Sequence, residues 1–310
     1  LTAEPKRLSL EEVGEEARRE NSVLWATPSV RERVEADFGA RCRPPDDPLP
    51  PETRVLVVIG GGTLMDRAKI DRARRWPGVR LILVPSIWGS GAESSPIAVN
   101  NEEGKKRFFI GDDYLPDAFA IWADLTASLP AETIRNACGD AWTHAYEAFV
   151  SPLASDEIRA QSAEILSRML LLGLKRDADW FELSERACLV QARSAVGLVH
   201  GIAHVLELGA AGGGTGSWGH ARLCSTFLLP VFELNRSRSP RWDELAAAHG
   251  LDAEGCVSTM RALFDPAAYR DAAPSLATRW PEVLRDPCTR TNSTLVRRGD
   301  LAHFTEFTAS

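Results

Sequence analysis

Six histidines occur in these 310 residues, and four of them fall in three short stretches. "GLVHGIAHVLE" (197–207) sets His200 and His204 four positions apart in an otherwise apolar run. "GDAWTHAYEAF" (139–149) gives Asp140 and His144 the same spacing, with Glu147 one turn further on. His220 follows sixteen residues after His204, beyond "VLELGAAGGGTGSWG", which reads as a loop by composition. A spacing of four places both side chains on one helix face, about 6 Å apart. Imidazoles are indifferent helix formers and costly to bury without partners. Taken singly, each pair reads more readily as a hydrogen-bonded helix pair than as ligands. Taken together, three nitrogen donors and one carboxylate fill the shell of a first-row divalent ion, and one histidine remains for proton transfer. His249 and His303 sit in polar surroundings and carry no claim.

A second kind of chemistry is offered by glycine. "RVLVVIGGGTLMDRAKI" (54–70) runs from a β-branched strand through Gly60, Gly61 and Gly62 into an amphipathic helix. Backbone without Cβ atoms can approach a pyrophosphate, and the helix start adds free N–H groups and a positive dipole end. Thr63 could add a hydroxyl, and Asp66 and Lys69 lie one turn apart on that helix. A plain tight turn is the equal alternative. "IWGSGAESS" (87–95) is another glycine loop after a strand, in which a solvated side chain is the plain reading of Glu93. Two such loops at the carboxyl ends of parallel strands form a rim suited to a nucleotide. Lys105, Lys106 and Arg107 read equally as a charged hairpin tip or as cations near a cofactor. No GxSxG motif is present, which disfavours a serine nucleophile.

The elements that must hold these groups change character along the chain. "SVLWAT" (22–27), "RVLVVIG", "VRLILVPS" (79–86) and "FAIWAD" (119–124) read as buried strands, with "PSVRERVEADFG" (28–39) and the segment after the glycine turn as helices. Strand alternating with helix implies a parallel sheet. From Leu129 onward the segments are long and helix-periodic. The expected architecture is an α/β nucleotide-binding domain over residues 1–127, shortened and built on a parallel sheet, followed by an all-α metal-binding domain over 128–310. A net charge of −7 and the lack of a basic patch argue against a nucleic-acid partner. No apolar run approaches the roughly 20 residues of a membrane span, and "LTAEPKRLSLEEVGEEARRE" lacks the apolar stretch of a signal peptide. Six scattered cysteines without a CxxC read as reduced thiols of a cytoplasmic protein.

The order of these motifs resembles the iron-containing (group III) alcohol dehydrogenases, within the dehydroquinate synthase-like superfamily. "GGGTLMDRAK" is similar to that family's GGGSxxDxAK turn, "PSIWGSGAE" to PTTxGTGSE, and "GDAWTHAYEAF" to GxDAxxHAxEA. "VHGIAHVLE" resembles HGxxHxLG, "GHARLCSTFLLPVFELN" resembles HGxxxxxxLPxVxxxN, and "DPCTRTNS" resembles DxxxxxNP. They run in family order from about residue 54 to residue 295. The resemblance implies Asp140, His144, His200 and His220 as ligands of Fe²⁺ or Zn²⁺, and His204 as the proton relay. It implies Gly60, Gly61, Gly62 and Thr63 on the pyrophosphate of NAD(P), with Asp66 capping that region, Ser86 on the nicotinamide side and Lys106 near cofactor or substrate. The implied enzyme is a homodimeric oxidoreductase of small aldehydes, ketones or alcohols. A non-redox lyase or cyclase of the same superfamily, acting on a polar or phosphorylated substrate, is the alternative.

Overall fold

The computed structural model describes residues 4–102, 105–210 and 218–308 and divides into two compact units, Leu1–Leu129 and Pro130–Ser310. The first opens with β1 (Lys6–Arg7), α1 (Leu10–Ala17), β2 (Ser22–Ala26) and α2 (Arg31–Phe38). It continues through β3 (Val55–Gly60), α3 (Gly62–Arg75), β4 (Arg80–Pro85), the hairpin β5 (Ile97–Glu102) and β6 (Lys105–Ile110), and β7 (Ala118–Phe119). Five strands make a parallel sheet in the order β1-β7-β4-β3-β2.

Both faces of this sheet are covered, which is why its strands are apolar without alternation. Leu24, Val57, Ile82 and Val84 face one way, against Val13 of α1 and Val34 and Phe38 of α2. Trp25, Leu56, Val58 and Leu83 face the other way, against Met65 and Ala68 of α3. Successive side chains of a strand point to opposite faces, so one apolar run supplies both layers. Ser9 and Glu12 close a capping box at the start of α1. Gly39 ends α2 at φ 62°, a left-handed cap that favours glycine.

Two expectations need correction here. The strand foreseen over 119–124 is confined to Ala118–Phe119, because the chain turns into a 3-10 helix at Ala123–Thr126 and folds Trp122 and Leu125 into the core. Glu93 is buried, 1% exposed, rather than solvated. The run at 105–107 begins β6, so the charges belong to a hairpin. That hairpin is tied to α3 by two buried polar links. Lys69 Nζ donates to the carbonyls of Ser95 and Ile97, each at 2.9 Å, and Asp66 accepts from the Val99 amide at 3.1 Å.

The second unit is helical: α4 (Ala131–Val150), α5 (Asp156–Leu172), α6 (Asp179–Ala192), α7 (Leu198–Ala210), α8 (His220–Arg236), α9 (Arg241–Ala248), α10 (Ala253–Leu263), α11 (Pro266–Val283) and α12 (Leu301–Glu306). Ser155, Asp252 and Asp265 cap α5, α10 and α11, with Pro266 in the first turn of α11 where its missing N–H costs nothing. The stretch 205–219 was expected as a loop, but α7 continues through its first six residues to Ala210. Gly212, Gly213 and Gly214 lie outside the described residues. No described helix is long and apolar enough to cross a membrane.

Helix α4 sets the terms for the site. Every residue from Ala137 to Val150 is buried, on all sides of the helix. A helix enclosed all round should be apolar, since a buried polar group must find a partner or pay for desolvation. Asp140, Thr143, His144 and Glu147 break that rule. Thr143 is satisfied locally, donating to the Gly139 carbonyl at 2.8 Å. The other three are accounted for only by what they face.

Candidate metal centre

Three helices bring together three of the four expected ligands, Asp140, His200 and His220, while the fourth, His144, lies outside the group. Helix α4 presents Asp140, α7 presents His200, and α8 presents His220 from its first residue and Cys224 one turn later. One donor atom from each of Asp140, His200, His220 and Cys224 lies within 4.8 Å of the other three. His220 Nε2 stands 3.8 Å from Asp140 Oδ1 and 3.6 Å from Cys224 Sγ. The His200 and His220 rings are 5.4 Å apart between centroids. His144 stacks on His200, centroids 4.7 Å apart and planes 28° apart, outside that group of four donors.

The close approach of these helices depends on glycine. A Cβ on Gly139 would stand 2.5 Å from the Cβ of Ser225 and 2.8 Å from its Cα, so α4 and α8 touch backbone to backbone beside Asp140. A Cβ on Gly201 would strike Thr289, and one on Gly197 would lie 2.9 Å from Glu147 Oε1. At the other end of α8, Asn235 and Asn292 exchange amide hydrogen bonds at 3.2 and 2.7 Å. Asn292 Oδ1 also accepts from the Leu198 amide at 3.3 Å, which pins the start of α7. The asparagines of the "FELN" and "TRTNS" stretches therefore act as struts for the helix that carries His200.

The donor chemistry fits a divalent ion. His200 Nδ1 lies 2.7 Å from Glu147 Oε2, while Glu147 Oε1 accepts from the Val199 amide at 2.7 Å. With Nδ1–H donated to a carboxylate, Nε2 carries the lone pair. Burial, joined by the neighbouring His144, His220 and His204, holds His200 well below the usual imidazole range, so the ring is neutral, the form that binds metal. Its Nε2 is buried with no hydrogen-bond partner, and so is Asp140 Oδ1. Two such atoms in one cluster are expensive unless a cation satisfies both. Burial pushes the Glu147 carboxyl up to about 8 against the pull of the Gly197, Val199 and His200 amides, and the carboxylate that accepts from Nδ1–H is the form a nearby cation would favour. Glu207 Oε2 takes a similar place beside His220 Nδ1, at 3.4 Å.

Glu147 thus reads as a positioning residue, and one substitution tests it. In Glu147→Gln the amide NH₂ facing Nδ1 favours the other tautomer, which puts a proton on the Nε2 that should bind the ion. Metal affinity is expected to fall roughly 10- to 100-fold, measured by competition with a chromophoric chelator. Unchanged affinity would remove Glu147 from this role.

His204 stands beside the cluster. Its ring lies 5.8 Å from that of His200 and 5.5 Å from that of His220. Nδ1 is 3.8 Å from Asp286 Oδ2 and 3.7 Å from Cys288 Sγ. These three form a second group of close donors. Asp286 and Cys288 come from the "DPCTRTNS" stretch, more than eighty residues from His204.

In the first unit, the glycine turn sits at the end of β3. The Ser86 amide donates to the Gly60 carbonyl at 2.9 Å, which aligns the ends of β3 and β4. Added Cβ atoms would meet Thr27 and Leu64 at Gly60, and Ser90 Oγ at 2.9 Å at Gly62, so the two glycine loops touch. Nothing lies within 4 Å of a Cβ on Gly61, the N-cap of α3, and Thr63 is exposed in the first turn. An open cradle beside a helix start with no side-chain cap suits a phosphate group. Asp66, expected to cap this region, turns instead to the hairpin and to Lys69, 3.7 Å away. Burial raises its carboxyl, while Lys69 and Lys106 act in the opposite sense.

Comparison with known proteins now adds to this geometry. No family model matches the chain. An aldehyde-alcohol dehydrogenase 2 of Entamoeba histolytica is 28% identical over 222 residues, covering 60% of this chain and 25% of that protein. The 1-propanol dehydrogenase PduQ of Salmonella typhimurium is 26% identical over 217 residues, covering 64% and 57%. Among solved structures, an iron-containing alcohol dehydrogenase from Corynebacterium glutamicum superposes with a TM-score of 0.78 at 19% identity, over 99% of this chain and 95% of that one. One from Thermococcus thioreducens gives 0.73 at 20% identity, over 97% of each. The chain is thus similar in sequence to alcohol dehydrogenases, and in fold to iron-containing ones. It spans a quarter to just over half the length of those two curated relatives. The fold, a five-stranded parallel sheet followed by helices, is the one the motif order implied.

Cys224, Glu147, Glu207, Asp286 and Cys288 are the residues near the site to which the sequence reading gave no role. His220 and Cys224 share the four-residue spacing that drew notice to the histidine pairs, so that signal was available. Nothing local marks Asp286 and Cys288 as neighbours of His204.

Proposed function

We propose that this chain is a metal-dependent, NAD(P)-linked oxidoreductase of small aldehydes, ketones or the corresponding alcohols. The observation that carries this reading is the convergence of Asp140, His200 and His220 around a buried, unpartnered His200 Nε2. Asp140, His200 and His220 would hold the ion, with His144 beside them. A divalent ion there supplies Lewis acidity toward a carbonyl or an alcohol oxygen, and a nicotinamide supplies or accepts the hydride. The structural neighbours are described as iron-containing, and zinc is the other ion this donor set suits.

The chain's own groups do the rest. Glu147 and Glu207 orient the His200 and His220 rings. His204, with Asp286 near its Nδ1, can take a proton at Nε2 from an alcohol or return one to a carbonyl oxygen. Gly60, Gly61, Gly62 and Thr63 offer backbone and hydroxyl donors for the pyrophosphate, and Ser86 lies at the adjoining strand end. Asp66 and Lys106 would act one layer back, by holding α3 and the hairpin in place. The family resemblance also supports a homodimer in the cytoplasm. A lyase or cyclase is not favoured, since the curated relatives are named as dehydrogenases.

The test is reduction of short-chain aldehydes by metal-loaded protein, followed by loss of NADH or NADPH absorbance. Failure to bind either nucleotide would end this reading. Gly61→Ala is the companion variant. Its new methyl meets no protein atom within 4 Å, so thermal stability should not move. Dinucleotide binding should weaken about tenfold or more, about 1.4 kcal/mol, by calorimetric titration. Equal affinity in the variant would show that the turn holds no phosphate.

A further inference from the structure

We infer that the Cys224 sulfur is a ligand of the same ion, so that the centre is an oxygen, nitrogen and sulfur site suited to a thiophilic metal. The inference rests on the proposal that Asp140, His200 and His220 bind metal, and it assigns a donor that the family motifs do not. Cys224 Sγ belongs to the single group of four described donors that lie within 4.8 Å of one another, and it is 3.6 Å from His220 Nε2. Two ligands of one tetrahedral ion with bonds of about 2.0 to 2.3 Å stand roughly 3.5 Å apart. Cys224 meets that spacing with His220 as the structure stands.

The helix makes the contact unavoidable. His220 and Cys224 are one turn apart on α8, so both point to one face, and the preceding turn of that face is the site. Cys224 is fully buried. Asp140 and His220 stand beside its sulfur in the donor group. A divalent cation held at this spacing would take the sulfur as thiolate, because a coordinating thiol loses its proton outright. The S–H bond breaks as the sulfur–metal bond forms, and the proton leaves to solvent.

A thiolate changes which metal is preferred. Carboxylate and imidazole serve several first-row divalent ions, whereas a soft sulfur donor shifts selection toward zinc. Cys288, the other cysteine beside the cluster, belongs to the separate group with His204 and Asp286 and supplies the internal control.

The experiment is titration of the metal-free full chain with Co²⁺ alone, read by absorbance. The wild-type protein should gain a near-ultraviolet thiolate-to-cobalt charge-transfer band together with visible d–d bands, both saturating at one equivalent. Cys288→Ser should keep both. Cys224→Ser, close to isosteric, should keep the d–d bands, lose the charge-transfer band and bind the metal roughly 10- to 100-fold more weakly. X-ray absorption of zinc-loaded wild type requires no variant and should show one sulfur scatterer at about 2.3 Å. A d–d spectrum without charge transfer, or a band that survives in Cys224→Ser, overturns this inference and leaves the metal site standing. Absence of any cobalt spectrum overturns both.

Discussion

His200→Ala should release the metal and end the reaction. Structural zinc sites bind with apparent free energies of about 10–16 kcal/mol. Shared over four ligands, that is about 2.5–4 kcal/mol each, or roughly two to three orders of magnitude in affinity. The loss should be large at this ligand because His200 is the best-prepared of the set. It is buried and neutral, and its ring is set by a 2.7 Å hydrogen bond to Glu147. The alanine variant also leaves Glu147 facing a void, so the carboxyl that oriented the ring loses its partner. Metal content after dialysis, beside kcat/KM with a short aldehyde, reads the effect. Fully retained metal would show that the ring is no ligand.

Gly139→Ala should separate the two helices that carry Asp140 and His220. Its methyl would meet the backbone Cα of Ser225 at 2.8 Å. Backbone cannot rotate out of the way as a flexible side chain can, so α4 and α8 must move apart. Overpacking of this kind costs about 1–3 kcal/mol of stability. The functional cost should be greater than the structural one. Asp140 follows Gly139 directly on α4, whereas His220 and Cys224 ride on α8, so any separation stretches the donor set. Metal affinity is expected to fall tenfold or more, about 1.4 kcal/mol, in a variant that still melts cooperatively. The opposite pattern, lost stability with metal affinity intact, would mean that the helices carry their ligands independently of this contact.

The balance between what was legible in the sequence and what was not follows from the range of each interaction. Strand alternating with helix, the glycine cap at Gly39 and the pairs Asp140–His144 and His200–His204 are local patterns, and local geometry decides them. The continuation of α7 through "VLELGA" was hidden by the glycines that follow it, since composition averaged over fifteen residues masked six helical ones. The β5–β6 hairpin went unassigned because "IAVNNEEGKKRFFI" carries its apolar residues at the ends and its charges in the middle. Its turn was visible, but its pairing was not. The resemblance placed Asp66 at the glycine turn, with Lys69 one turn further along the same helix. In the fold they lie on the side of α3 that meets the hairpin. Glu147 was seen as one turn beyond His144, yet its partner is His200, fifty-three residues away, and only tertiary packing supplies that pairing.

Anomalous scattering from a metal-soaked crystal, recorded on either side of the absorption edge, addresses the central claim most directly. One peak per chain should appear within about 2.0–2.2 Å of Asp140 Oδ1, His200 Nε2 and a nitrogen of His220. A peak lodged instead among His204, Asp286 and Cys288, or none beside His200, would contradict it.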